Sequence, residues 1–453
     1  MKNFYLALFL IFSFTANSQN IIVDTLLNNG STESRINLVI LGDGYQQHEY
    51  QKFTDDAENI VTGLFLEKPF DRYINYFNVV SVFTPSNESG AAMDPNNLID
   101  NYFGSTFWYA GIERLLVPTN NSQVVNVLAN HFPTYDQVLM IVNSTKYGGS
   151  GGWVATASTN VQSLEIMIHE IGHSFAFLAD EYWAGDQFAA ELSNMTMNNN
   201  PATVKWKNWY GDFNVGIFQH CCGGNSSQWY KPHESCKMEV LGVPFCAVCT
   251  EAFIERIHVL TNPINSYLPS ASFFLASQFP LSFELDLIEP ISNSLSIKWE
   301  LNSLIKPESI DSLSLNEEEL IQGINYLTAI VTDTTQLIRI DQYESINLYA
   351  VTWVIDFSTT DISEIKSSRN IFSLNFYPNP ASETLYFESE IFTDEIFEVV
   401  IYDLAGREAM RFKTDFQTSN KLSIDISMLS DSYYLIAIEK QGIPLYSGKL
   451  IVQ

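Results

Sequence analysis

His169-Glu170-Ile171-Gly172-His173 is the one run of this chain whose residue types and spacing could do chemistry on their own. Two imidazoles four residues apart lie on the same helix face and can converge on one divalent ion. Glu170 projects beside them, where a carboxylate can take a proton from an ion-activated water. With only 7 histidines in 453 residues, the pairing is not a by-product of abundance. The bland alternative is a pair of surface histidines on an amphipathic helix. The chemical reading is zinc-dependent hydrolysis, with peptide bonds the first substrate to consider. His169 and His173 are then neutral ligands and Glu170 the general base.

A catalytic zinc needs a third protein ligand and an open fourth position. Asp180 and Glu181 are the nearest candidates. Asp180 stands seven residues after His173, which is the same face but about 10 Å further along an unbroken helix. A helix over Val161 to about Leu178 must therefore bend or end for Asp180 to reach back. Asp180 is the favoured ligand, Glu181 the alternative, and His220 and His233 the reserves. A carboxylate near a helix C-terminus is opposed by the helix dipole, which argues for a functional reason for it.

The elements that position these residues are legible upstream. Arg35 to Leu41 and Tyr76 to Phe83 are apolar runs of strand length, as is Gln137 to Val142. Gln46 to Leu66 has helical spacing, with Phe53, Ala57, Ile60, Val61 and Leu64 on one side. The glycine cluster Gly148-Gly149-Ser150-Gly151-Gly152 lacks the Gly-Lys-Ser/Thr ending of a phosphate loop. Trp153 to Ala157 reads as a short edge strand just before the metal helix. Gly152 and Trp153 could then hold an extended peptide by strand addition, the alternative being a plain glycine turn. A further helix is expected from about Ala247 to Val259.

Composition sets the context. The 46% hydrophobic and 13% aromatic content can build packed cores. With 23 Lys+Arg against 52 Asp+Glu, net −29, the chain repels nucleic acid and anionic membranes. No Asp-rich loop has EF-hand spacing, so calcium is not indicated, although some carboxylates could take it. Lys2, the apolar run Phe4 to Phe12 and Ala16-Asn17-Ser18 form a signal peptide, with cleavage expected before Gln19. No later stretch has the ~20 apolar residues of a spanning helix. After Pro263 apolar and polar residues alternate in short runs, as in Leu295 to Trp299 and Leu348 to Val354, which predicts a β-sandwich.

Cys221, Cys222, Cys236, Cys246 and Cys249 crowd one region. Export favours one or two disulfides there over a thiolate zinc site, although Cys246-x-x-Cys249 alone could be half of one. The odd count leaves at least one thiol over or pairs it between chains, and the connectivity is not readable.

Residues 169 to 182, His-Glu-Ile-Gly-His-Ser-Phe-Ala-Phe-Leu-Ala-Asp-Glu-Tyr, resemble the signature of the secreted IgA metallopeptidase family. Leu41-Gly42-Asp43-Gly44-Tyr45, Tyr147 to Gly152 and Pro244 to Cys249 add blocks in the family's order, so the resemblance covers about Ile36 to Ile257. It implies a zincin-like fold and zinc endopeptidase activity. By similarity, Met238 could be the methionine that zincins place in a turn beneath the metal; a core methionine is the alternative. Tyr182 and Tyr230 are candidate oxyanion donors. Separately, Tyr377-Pro378-Asn379-Pro380-Ala381, Val400 to Arg407, Leu429 to Tyr434 and Lys449 to Val452 resemble the sorting domain of type IX (Por) secretion substrates. Asp431 departs from it, standing where a glycine is usual.

The expected architecture is an α+β zincin-like catalytic domain, a mixed sheet plus the metal-bearing helix, followed by two all-β sandwich-like domains. Its bounds are 1–18 signal peptide, 19–262 catalytic domain, 263–358 accessory sandwich, 359–373 linker and 374–453 sorting domain. Protein or peptide substrates and an outer-membrane secretion machinery are the expected partners, with a secreted or cell-surface location. The rival reading is a secreted binding or adhesion protein whose zinc site is inert or structural. Natural substrate, oligomeric state and removal of the sorting domain are not readable.

Overall fold

The computed structural model describes residues 20–221, 223–306, 310–341, 344–357, 374–389, 396–402, 408–415, 421–430, 432–440 and 443–452. The expected signal peptide and linker, Cys222, Asp431 and the Asp403 to Arg407 stretch lie outside these residues. The chain divides into two compact units. The first holds 1–265 together with 288–295 and 333–347; the second holds 266–287, 296–332 and 348–453.

The first unit is built on a six-stranded mixed sheet. Its order is Ile22–Leu27, Phe77–Phe83, Ile36–Asp43, Gln137–Val142, Val154–Ser158, Gly149–Ser150. Ile36–Asp43 pairs in parallel with both neighbours, and Gln137–Val142 pairs in parallel with Val154–Ser158. The first and last strands of that order run antiparallel. The interior strands are buried along their whole length, which is why they read as unbroken apolar runs rather than alternating ones.

Helices cover both faces. Tyr50–Leu64, Ser163–Ser174 and Ala247–Leu260 pack on the face that carries Leu38, Ile40 and Val79. Asn121–His131 packs through Val124, Val127 and Leu128 on the face that carries Val39, Leu41 and Val138. The Asp43 block is a structural knot. Its buried carboxylate accepts from the backbone N–H of Gly44, Phe103 and Ser105 at 2.9, 3.0 and 3.0 Å, tying the strand end to the following loops.

The outermost strand beside the site helix is Gly149–Ser150, not the expected Trp153 to Ala157 segment. Val154–Ser158 lies inside the sheet, between Gln137–Val142 and Gly149–Ser150. Close approach explains the glycines. A Cβ on Gly149 would sit 2.4 Å from Ile166 Cγ2, and one on Gly151 would sit 2.6 Å from His173 Cβ. The strand can lie this near the helix only without side chains.

The segments 288–295 and 333–347 join the first unit through Asp333. Its carboxylate accepts from Tyr73 Oη at 2.6 Å, Ser294 Oγ at 2.7 Å and His258 Nε2 at 3.0 Å. Burial alone would raise this carboxyl; His258, Tyr73 and Ser294 outweigh it and hold it at about 2.

Among its described residues the second unit is β apart from a short 3-10 turn at Glu317–Glu319. A three-stranded and a five-stranded sheet bury Phe283, Trp299 and Trp353, with the two indoles stacked at 5.8 Å. Further on, a three-stranded and a four-stranded sheet enclose a core that includes Leu385, Phe387, Val399, Ile436 and Leu450.

Candidate metal centre

The site helix, Ser163–Ser174, starts near the predicted position but stops four residues before Leu178. Phe177 takes a left-handed conformation, φ +54°, and the N–H of Leu178 donates to the carbonyl of Gly172 at 2.9 Å. This reversal carries the chain back along the helix. It is what brings Asp180 within reach of a centre that an unbroken helix would leave about 10 Å behind.

Three donor atoms now converge. Asp180 Oδ1 lies 3.1 Å from His169 Nε2 and 3.3 Å from His173 Nε2, and the two Nε2 atoms are 3.2 Å apart. The other nitrogen of each ring is tied to the backbone. His169 Nδ1 is 2.9 Å from the carbonyl of Lys237, and His173 Nδ1 is 2.7 Å from the carbonyl of Leu178. A carbonyl only accepts, so Nδ1 carries a proton in both rings and the two Nε2 atoms are the ones that face Asp180.

This near-equilateral triangle fits a zinc ion. Tetrahedral coordination at ~2.0 Å separates neighbouring N and O donors by ~3.3 Å. The electrostatics fit too. Burial would raise Asp180, but the two imidazoles hold it well below the usual carboxylate range. Burial would lower His173, but Asp180 outweighs that and holds it at about 9. The triangle thus already concentrates opposite charges, and a divalent cation would replace the shared proton.

Glu170 enters the same cleft from the helix turn between the two histidines. Burial raises its carboxyl, partly offset by His169 and His173. A cleft of about 960 Å³ opens over the group. Gly149, Ser150, Gly151 and Gly152 line one wall, and Tyr109, Tyr147 and Phe188 add aromatic surface.

Other sequence candidates are placed as follows. Glu181 turns away from the triangle and is buried beside cysteine thiols. Tyr182 lines the cleft, its ring stacked on that of His169 at 6.4 Å, and its Oη accepts from Arg114 Nη2 at 3.0 Å. Tyr230 is held elsewhere, its Oη accepting from Asn199 Nδ2 at 3.2 Å. Trp153 is half-exposed, with Nε1 donating to Asn121 Oδ1 at 3.2 Å. Met238 is buried under the site helix, where a Cβ on Gly172 would come 2.5 Å from its Sδ. His220 is buried against Trp183, and His233 Nδ1 accepts from the N–H of Ser235 at 2.9 Å. Neither joins the triangle.

Two residues carry no sequence signal. Arg114 sits in a loop with no recognisable pattern and reaches the cleft only through tertiary structure. Lys237, almost fully buried, donates to Glu165 Oε2 at 2.6 Å and so clamps its own turn to the site helix.

Residues 25–215 match the family model for IgA Peptidase M64. Over that stretch the chain is similar to the IgA Peptidase M64 family. The match contains the triangle but ends before the Pro244 to Cys249 block, which the resemblance includes. The match suggests a secreted peptidase of the metallo type, with protein as its substrate class. Residues 375–453 match the secretion system C-terminal sorting domain, which marks the chain for type IX secretion to the cell surface or extracellular space. Among the described residues no helix is long and apolar enough to cross a membrane.

A comparison with curated proteins finds no match. Among solved structures, dimeric latent PorU from Porphyromonas gingivalis is similar at 15% identity, over 35% of this chain and 16% of that one, with a TM-score of 0.16. Chicken interferon gamma receptor alpha chain is similar at 12% identity, over 38% and 92%, with a TM-score of 0.15. Bacteroides uniformis beta-glucuronidase 3 is similar at 11% identity, over 51% and 29%, with a TM-score of 0.17. Likenesses this weak carry no argument about fold or function.

Proposed function

We propose that the M64 region is a zinc endopeptidase of zincin-like fold, with His169, His173 and Asp180 as ligands and Glu170 as general base. The observation that supports it most is the triangle: three donors 3.1–3.3 Å apart, with both Nδ1 protons directed to carbonyls. The mixed sheet, the short antiparallel strand beside the site helix and the methionine beneath it agree with a zincin. Domain bounds of 19–262, 263–358 and 374–453 belong to the same reading.

Bound there, zinc would polarise a carbonyl and lower the pKa of a coordinated water to ~7. Glu170 takes the proton of the attacking water on a carboxylate oxygen and returns it to the leaving amine. Its enclosure raises its proton affinity, which suits a group that must accept and then donate. The Tyr182 hydroxyl, held by Arg114, donates toward the oxygen on which charge develops. The substrate strand lies along Ser150 to Gly152; Gly149 already exchanges backbone bonds with Arg114 and Leu116, so its edge is taken.

The test is digestion of casein by metal-replete protein, with and without chelator, and by Glu170→Ala. Chelation should abolish proteolysis, and the variant should keep zinc and lose turnover. Proteolysis that is absent, or unaffected by chelation, would favour a binding protein with an inert or structural site.

A further inference from the structure

A second donor cluster lies behind the first. Glu181, Cys236, Cys246 and Cys249 offer one carboxylate oxygen and three sulfurs, all within 4.8 Å of one another. All four residues are buried; none is more than 6% exposed. Cys246 caps the helix Ala247–Leu260, Cys249 lies in its first turn, and Cys236 opens the Cys236-Lys237-Met238 turn. The N–H of Cys246 donates to Cys236 Sγ at 3.3 Å.

The expected disulfides do not account for this group. Cys236 Sγ and Cys249 Sγ are 3.6 Å apart. That is near the ~3.8 Å edge of a tetrahedron with Zn–S bonds of ~2.3 Å, and well beyond the ~2.05 Å of an S–S bond. Pairing any two sulfurs would also leave a third thiol and a carboxylate sealed in the core. Glu181 sharpens the point. Its Oε1 accepts from Asn194 Nδ2 and from Cys249 Sγ, both at 3.1 Å, while its buried Oε2 has no hydrogen-bond partner among the described residues. An orphaned carboxylate oxygen in a dry core is costly unless something cationic meets it. Lys231 does not: its Nζ bonds the backbone carbonyl of Glu181 and the side chain of Glu239.

We propose that Glu181, Cys236, Cys246 and Cys249 form a second metal site, closed and structural, that binds zinc. Four protein ligands leave no open position, so the site holds structure rather than reacting. What it holds is the floor of the first site. Glu181 follows Asp180 directly, and its N–H donates to the carbonyl of Met238 at 2.7 Å. Cys236 precedes Lys237, whose carbonyl fixes His169, and Met238, which backs Gly172. Zinc at the thiols would thus lock both arms that aim His169 and Asp180. The inference does not depend on peptidase activity.

The experiment is zinc analysis and zinc-edge X-ray absorption on the full chain, purified zinc-replete and dialysed. Two zinc per chain are expected, with a sulfur shell at ~2.3 Å beside nitrogen and oxygen at ~2.0 Å. The double variant His169→Ala/His173→Ala should lose one zinc and keep the sulfur shell. Cys246→Ser/Cys249→Ser should lose the sulfur shell; should that variant fail to fold, the histidine double variant still decides. One zinc per chain with nitrogen and oxygen scattering only, or a disulfide between any two of the three cysteines by non-reducing peptide mapping, would overturn the proposal. Loss of the sulfur shell in the histidine variant would do so as well. Failure of the peptidase reading would instead show as absent proteolysis with the sulfur shell intact.

Discussion

Asp180 and Glu181 are adjacent in sequence yet lie in two different donor clusters. Asp180 Oδ1 stands 3.1 Å from His169 Nε2, while Glu181 Oε1 stands 3.1 Å from Cys249 Sγ. A pair of neighbouring carboxylates thus serves two clusters just after the left-handed turn at Phe177. The two substitutions should therefore separate cleanly.

Asp180→Ala removes one corner of the histidine triangle. Zinc affinity at that centre should fall by more than the ~10–100-fold typical of losing an outer-shell partner, with peptidase activity lost in parallel. Competition with a fluorescent chelator measures it. Unchanged affinity would mean that the third ligand is another residue.

Tyr182→Phe deletes a hydroxyl held by Arg114. Its kcat should drop by ~10²–10³ with KM and zinc content little changed, as for other lost oxyanion donors. A change confined to KM would instead make Tyr182 a substrate-binding residue.

Gly149→Ala places a methyl group 2.4 Å from Ile166 Cγ2 and 2.7 Å from the carbonyl of Thr156. One of these neighbours is backbone, so the strand must move. Stability should fall by about 1–3 kcal/mol, read from denaturant unfolding. An unaltered midpoint would show that the strand is not pressed against the helix.

Asp333 is held at about 2, below the ordinary carboxylate value of ~3.9. A depressed carboxylate stabilises the fold above its unfolded value and loses that contribution as pH falls through its folded value. The Asp333 contribution should therefore be complete above pH ~4 and vanish toward pH ~2. Asp333→Asn should cost about 3–5 kcal/mol at neutral pH, since it removes the buried carboxylate that accepts from His258, Tyr73 and Ser294. It should also flatten the acid limb of the stability profile. A parallel profile in wild type and variant would assign the acid limb to other groups.

Much of the first unit is legible in the order of its residues. The continuous apolar runs Arg35 to Leu41, Tyr76 to Phe83 and Gln137 to Val142 fall on the strands Ile36–Asp43, Phe77–Phe83 and Gln137–Val142, because strands buried on both faces need no polar alternation. The histidine pair and its glutamate follow from helix geometry, and Asp180 from the demand that the helix stop. The stop itself is hidden, since a phenylalanine in the left-handed region carries none of the usual glycine signal. The helix Asn121–His131 is absent from the expected elements, although Asn120 caps it and Val124, Val127 and Leu128 recur at helical spacing. Compartment alone makes disulfide staples of the cysteines; only their placement around buried Glu181 shows a four-donor cluster. Arg114 and the return of 333–347 to the first unit are products of tertiary folding, which no local pattern records.

The central claim is that one ion sits among His169, His173 and Asp180. Anomalous diffraction at the zinc edge from crystals of the metal-replete chain tests it most directly. The account predicts a peak within ~2.0–2.2 Å of His169 Nε2, His173 Nε2 and Asp180 Oδ1. Density bridged by hydrogen bonds alone, with no anomalous signal among those three atoms, would contradict it.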